Sequence, residues 1–367
     1  MDKRLQAEHG IICRLPGAKF GYFGWPSVAR MADGTLLAIS SGMRSEHVCP
    51  WGRTVLNVSA DGGKTWTGPR AINDSPIDDR DAGVVNLGGK KVLVSWFTSD
   101  TREYAKQDWC RKWLGEEEMA SWTATLSTWS DALVKKLLGS WVMLSADGGV
   151  TWGRPIRAPV STPHGPILLQ DGSLLYLGKD TREMSDGKIL AAGSSDGGKK
   201  WTVLGEVPIC DGTTPKHYHE PHLVQLPSGN IVGMIRVEQL DKEDLERGLI
   251  NFSLFQTGSA DGGRTWTTAK PTGVYGSPPH LLRHSSGTLI SVYGFRKPAF
   301  GQRAMLSRDD GATWDSDWII RDDGPDSDLG YPASAEMEDG SLLTVYYQKC
   351  PGDKKCSLLW SRWKLPA

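Results

Sequence analysis

The chain is poor in the features that assign a protein quickly. Cysteine is scarce, with 6 in 367 residues. That is too few for a disulfide framework at this length. Cys350 and Cys356 can span a short loop, but free thiols are the expectation. Net charge is nearly absent: 42 Lys and Arg face 43 Asp and Glu, leaving -1. No strong field therefore favours nucleic acid or an anionic membrane. No apolar run approaches the roughly 20 residues of a membrane span. The start, Met1-Asp2-Lys3-Arg4, has no apolar stretch behind it, so no signal peptide is visible. The expected location is cytoplasmic, or secreted with the leader removed. No cofactor or metal is called for, and the oligomer is left open.

What is present in excess is tryptophan, 16 in all. Ser59-Ala60-Asp61-Gly62-Gly63-Lys64-Thr65-Trp66 recurs as 145–152, 194–201, 259–266 and 307–314. This S-x-D-x-G-x-x-W box has the physics of a turn: Asp bonds backbone N–H groups, Gly takes positive φ, and Trp packs between units. A self-bonded Asx turn needs no calcium. Interleaved with the boxes are pairs of apolar strands joined at Asp33-Gly34, Gly88-Gly89, Asp171-Gly172, Ser228-Gly229, Ser286-Gly287 and Asp339-Gly340. Six units with room for about four short strands each predict an all-β, six-bladed β-propeller over 1–367. Leu358 to Trp363 is expected to close the ring beside Ile11-Ile12-Cys13. The second unit carries an insertion, 104–138, of helix-forming composition, with Trp109, Trp113, Trp122 and Trp129 near helical spacing. It reads as a helical hairpin packed on the blade, a lid over a site, or an oligomer contact.

Aligned on their turns, the units place Trp25, Arg80, Pro163, Glu220, Pro278 and Tyr331 nine residues before the turn glycine. In a propeller these strand starts crowd round the central funnel. Asp79, Asp81, His164, His219, His280 and Gly330 are neighbours. Arg, Glu, Tyr, Asp and His there are not what a blade core requires. Glu220 and Arg236 are expected to meet at one end of a single hairpin. His217, His219 and His222 have a spacing that can hold zinc. In an extended strand, however, His222 faces away from the other two, and no Cys or carboxylate group completes the set. His219 reads instead as a hydrogen-bonding residue of the funnel.

Five such boxes on six blades resemble the sialidase (neuraminidase) superfamily, in which they are called Asp boxes. The resemblance covers nearly the whole chain, although the boxes also occur in non-catalytic propellers. It implies a glycoside hydrolase that releases a terminal sialic acid, or a related acidic sugar, from glycans with retention. The anomeric carbon of that sugar bears a carboxylate, which repels an anionic nucleophile. Such enzymes therefore use a neutral tyrosine. A phenol with a pKa near ~10 needs an adjacent base. Tyr331 resembles the nucleophile and Glu220 its base. Arg236 and Arg303 resemble two of the arginines that hold the substrate carboxylate through bidentate contacts.

The departures are as informative. The family's Arg-Ile-Pro stands here as Gly24-Trp25-Pro26, so the first arginine is missing. Arg44 remains, and Arg80 is the conjectured replacement; Trp25 is counted with the substrate-binding set. The family's acid/base Asp is absent from Ser45-Glu46-His47-Val48-Cys49-Pro50. Asp81 is the expected acid/base, with Asp79, Glu46 and His47 as alternatives. Two rivals stay open: a propeller glycosidase for another acidic or neutral sugar, and a non-catalytic carbohydrate-binding propeller.

Overall fold

The computed structural model describes residues 3–182 and 187–366, so Met1 and Asp2 of the polar start lie outside it. Its strands form six separate antiparallel sheets. Each sheet is a blade, and five of the six are made of consecutive strands. Blade one runs Tyr22–Arg30, Leu36–Arg44, Arg53–Ser59 and Arg70–Asn73 from axis to rim. Blade two starts at Asp78–Asn86, blade three at Val160–Ser161 with Ile167–Leu168, blade four at Tyr218–Gln225, and blade five at Pro279–Arg283. Blade six is Gly330–Glu336, Leu342–Lys349 and Cys356–Trp363, completed on its rim by Ala7–Cys13. The closure is as expected, with Ile11 paired to Leu359 and Cys13 to Leu358. Cys350 and Cys356 are free.

Both faces of every blade are apolar, so alternate residues of one strand serve two neighbours. Leu174 packs toward blade two with Leu93 and Val142, while Leu175 packs toward blade four with Leu223 and Phe255. The core is thus a ring of six seams, one between each pair of blades.

The box turns sit at the lower end of this ring. In the first, Thr65 N donates to Asp61 Oδ1 at 2.9 Å, Thr65 Oγ1 to Asp61 Oδ2 at 2.6 Å, and Gly63 N to Ser59 Oγ at 2.8 Å. Asp61 is therefore consumed by its own turn. The second glycine of the box has two duties. Gly63 holds φ 90, and a Cβ there would stand 2.5 Å from Leu343 of blade six. Gly198 likewise abuts Leu93 and Gly263 abuts Leu175, each on the preceding blade. The box is a spacer between blades.

The insertion forms α1 (Arg102–Ala105), α2 (Asp108–Leu126) and α3 (Asp131–Leu137). It joins the second strand of blade two (Val92–Ser99) to the third (Gly139–Ser145), so it lies at the upper end of the ring. Its own core of Cys110, Met119, Trp122, Leu126 and Trp129 continues into Val48 and Cys49 of blade one. Trp51 Nε1 donates to Thr125 Oγ1 at 3.1 Å. The insertion buttresses the 45–52 loop.

Candidate active site

At the upper end, the first strand of each blade begins and the second ends. In four blades the first strand carries the same distortion. Trp25, Asp81, Glu220 and Tyr331 all have positive φ, at 54°, 41°, 47° and 51°. Strand pairing slips at each of them. Such a bulge turns one side chain out of the blade face, at a cost of about 1–3 kcal/mol for a non-glycine residue in this region. Pro26, Pro221 and Pro332 follow three of them and remove an N–H that the bulge would leave unpaired.

The hydrogen-bonded turns correct the register in blade two. Met31 N bonds Thr35 O, and Leu226 N bonds Asn230 O, but in blade two the matching bond is Leu87 N to Lys91 O. Counting back from the turn, the equivalents of Trp25, Glu220 and Tyr331 are therefore Asp81 and not Arg80. A two-glycine turn hides this in the sequence.

Tyr331 and Glu220 meet. The Tyr331 hydroxyl donates to Glu220 Oε1 at 2.6 Å. Arg236 Nη1 donates to the Tyr331 oxygen at 3.0 Å and also to Glu220 Oε2. Arg236 Nη2 donates to Glu238 Oε2 at 2.6 Å. Burial pushes the Glu220 carboxyl up, but Arg236 and the hydrogen bonds from Tyr331 and Arg236 outweigh it and hold the group below its usual value. Burial, with Glu220 beside it, pushes the Tyr331 phenol well above its usual value. Asp81 is 5% exposed and its Oδ1 has no hydrogen-bond partner among the described residues. Burial raises it to about 7, against Arg80 and helped by Glu220. His219 Nδ1 accepts from Lys179 Nζ at 3.1 Å.

Several expected residues stand elsewhere. Arg303 lies in the third strand of blade five, Phe300–Ser307, outside the funnel, with its guanidinium 4.6 Å from the Phe295 ring. Its electrostatic neighbours are Asp322, Tyr293 and Asp317. Third strands run at a larger radius than first and second ones, so Arg303 does not join Tyr331. Arg44 is 0% exposed and bidentate to Asp78 at 2.6 and 2.9 Å, an internal ion pair with no free face. Asp79 is fully buried and spends both oxygens on Ser75 and Asn73. Trp25 is 1% exposed and lies under the site, between the guanidinium groups of Arg80 at 4.5 Å and Arg44 at 5.1 Å. Arg80 is partly buried beside it. Glu46 is partly buried, and burial raises its carboxyl. His47 Nδ1 lies 2.8 Å from Asp328 Oδ1 and 2.9 Å from the Tyr22 hydroxyl, with its ring 4.9 Å from Trp25.

Three residues at the site escaped the sequence reading. Arg296 follows the second strand of blade five, and its guanidinium sits 5.7 Å from the Tyr331 ring. Lys179 closes the second strand of blade three, seven residues after its turn glycine, as Arg236 is in blade four. Counting forward from the turn, rather than only backward, exposes both Lys179 and Glu238.

Two groups have ligand-like composition. His164, His222 and His280 cluster with ring centroids 4.4 to 5.6 Å apart; His222 and His280 stack, and His164 meets both edge-on. Leu281 N donates to His222 Nδ1 and Ser334 N to His280 Nδ1. Those acceptors place the proton on Nε2, which disfavours metal there. His217, Asp241 and Asp244 bring ligand atoms within 4.8 Å of one another. Arg247 already occupies Asp244, and Thr214 N occupies His217 Nδ1. Both groups are framework.

The profile of the BNR repeat-like domain family matches residues 117–344. The chain belongs to that family. No curated protein matches the chain. Among solved structures, a Dyadobacter fermentans protein of unknown function is 22% identical, with a TM-score of 0.75 and 98% of each chain covered. A Trypanosoma rangeli sialidase, in complex with 2,3-difluorosialic acid as a covalent intermediate, is 13% identical, with a TM-score of 0.66. That match covers 97% of this chain and 59% of the other. NanB sialidase from Streptococcus pneumoniae is also 13% identical, with a TM-score of 0.65 over 97% and 70% of the two chains. At these identities the likeness concerns the propeller fold. Among the described residues no helix is long and apolar enough to cross a membrane.

Proposed function

We propose that the protein is a retaining glycoside hydrolase for a terminal acidic sugar, of the exo-α-sialidase kind. The observation that carries this reading is the Tyr331–Glu220–Arg236 contact at the mouth, with 2.6 Å between the phenol and the carboxylate. Tyr331 attacks the anomeric carbon while Glu220 takes its proton; Arg236, already on the phenol oxygen, stabilises the growing negative charge. Asp81, protonated near neutrality, gives its proton to the leaving oxygen. Water then enters with Asp81 as base and displaces Tyr331, so two inversions yield retention. The covalent intermediate of the trypanosomal sialidase supports the attack step by analogy of fold.

Charge favours an anionic guest. Arg80, Lys179, Arg236 and Arg296 face Glu220 and Glu238, and burial raises the Asp81 carboxyl so that it is only partly ionised near neutrality. Arg236 and Arg296 are assigned to the sugar carboxylate, and Arg303 is withdrawn from that role. Gly24, where the resemblance implies the first arginine, favours a second substrate reading: another ulosonic or uronic acid held by two guanidinium groups rather than three. The test is turnover of a panel of aryl glycosides, together with a 2,3-difluorinated sialic acid. A mass increase on the wild type that is lost in Tyr331→Phe supports the enzyme. Sugar binding with no turnover and no adduct leaves only a carbohydrate-binding propeller.

A further inference from the structure

Arg303 lies outside the mouth and keeps a donor idle. It is 8% exposed, and its Nη1 is buried with no hydrogen-bond partner among the described residues. The two carboxylates that sense its charge are engaged elsewhere. Asp322 accepts from Arg4 at 2.5 and 2.8 Å, and Asp317 accepts from the Tyr293 hydroxyl at 3.3 Å. Burying a guanidinium with an N–H unmatched costs free energy that a bound anion would recover.

Arg303 lines a cleft of about 540 Å³ together with Lys3, Tyr275, Phe295, Asp317 and Ile319. Tyr275 ends the last strand of blade four (Lys270–Tyr275), and Phe295 ends the second strand of blade five (Leu289–Phe295). Asp317 and Ile319 lie in the last strand of blade five (Asp315–Gly324), so the cleft sits where the two blades adjoin. The Tyr275 and Phe295 rings meet edge to face at 5.3 Å, and the Phe295 ring lies 4.6 Å from the Arg303 guanidinium. One buried cation beside aromatic walls describes the two ends of a ligand: a carboxylate on the fork of Arg303 and an apolar ring against Tyr275 and Phe295. Two cations, Lys3 and Arg303, and one carboxylate, Asp317, leave one net positive charge on the lining, which suits a monoanion. None of Glu220, Arg236, Arg296 and Tyr331 lines the cleft. Phe295 walls it, while Arg296, the next residue, stands by the Tyr331 ring at the mouth.

We propose that this cleft is a second binding site, separate from the mouth, for a small monocarboxylate that carries an apolar ring. The site is independent of catalysis, so its test reads binding alone and has the same outcome whether or not the mouth turns over a sugar. Benzoate and its uncharged isostere benzamide are titrated against the full chain by ligand-detected NMR. Benzoate should bind wild type, with benzamide about tenfold weaker. Arg303→Gln should weaken benzoate about tenfold and bring it level with benzamide, whereas Arg296→Ala, at the mouth, should leave benzoate binding unchanged. Tyr275→Ser, at a half-buried wall of the cleft, should weaken both ligands alike. No binding of benzoate, equal binding of the two ligands to wild type, or unchanged benzoate affinity in Arg303→Gln overturns the site. A loss confined to Arg296→Ala overturns it too, because the anion then sits at the mouth. Should Arg303→Gln prove unfolded, Tyr275→Ser decides alone, and unaltered binding of both ligands there overturns the site.

Discussion

The two ends of the propeller are built from the same strands and obey different rules. At the lower end the first, second, fourth and fifth boxes repeat one hydrogen-bond pattern, Asp with the Thr four residues on and Ser with the glycine four residues on. At the upper end the corresponding position is Trp, Asp, Pro, Glu, Pro and Tyr in successive blades. Repetition below spaces the blades, and the Asp and Ser of each box are bonded within their own turn. Divergence above places unlike groups around one axis, some unsatisfied, as the lone Asp81 Oδ1 shows.

The comparison breaks first at the upper end. Tyr331→Phe and Glu220→Gln should each lower kcat by about 1000-fold or more while leaving Tm nearly unchanged. A residual rate close to wild type would remove the mechanism. Next in size is the arginine pair. Arg296→Ala should raise KM for an acidic sugar about 10- to 100-fold, whereas Arg303→Ala should leave KM alone and lower Tm through lost packing on Phe295. The reverse outcome would return Arg303 to the site.

Asp81 connects rate and stability. Its carboxyl ordinarily titrates at 3.8 and is raised to about 7 in the fold. The general acid must hold its proton, so kcat/KM should fall as pH rises through about 7. A folded value above the unfolded one means that the stabilising contribution is complete below 3.8 and is lost as pH rises toward 7. Asp81→Asn should therefore raise Tm at pH 8 more than at pH 4 while abolishing that limb of the rate profile. The clustered histidines titrate with the opposite sense. Burial lowers His222 from 6.5 to about 3. Its stabilising contribution is complete above 6.5 and is lost as pH falls toward 3, so urea midpoints should drop over that window, and less so in His222→Gln. The smallest effect belongs to the lower end. Asp61→Ala and Asp261→Ala should each cost a few degrees of Tm by similar amounts and leave KM untouched, since their boxes are interchangeable. Unequal losses would show that the repeats differ in more than position.

Much of this was legible beforehand. The boxes announce the blades because an Asx turn is local and carries its own hydrogen bonds. The closing pair, Leu358 to Trp363 with Ile11 to Cys13, follows from the lack of a box in the last unit. Glu220 and Tyr331 were legible as residues before proline at a common register. Asp81 was favoured, although the alignment placed Arg80 at its register, because the turn glycine of blade two sits one position earlier in a turn of the same length. Arg296 was missed in favour of Arg303, because distance along the chain does not say on which strand, and hence at what radius, an arginine lies.

The amino-acid sequence by itself determined the ring: six units, their order and their closure, because each depends on short-range turns and on alternating apolar residues. Only the tertiary structure decided which polar residues share the mouth. Bulges at Trp25, Asp81, Glu220 and Tyr331 turn side chains out of their blades, and burial then sets which carboxyl keeps its proton. Both are effects of neighbours distant in sequence, which no local pattern encodes.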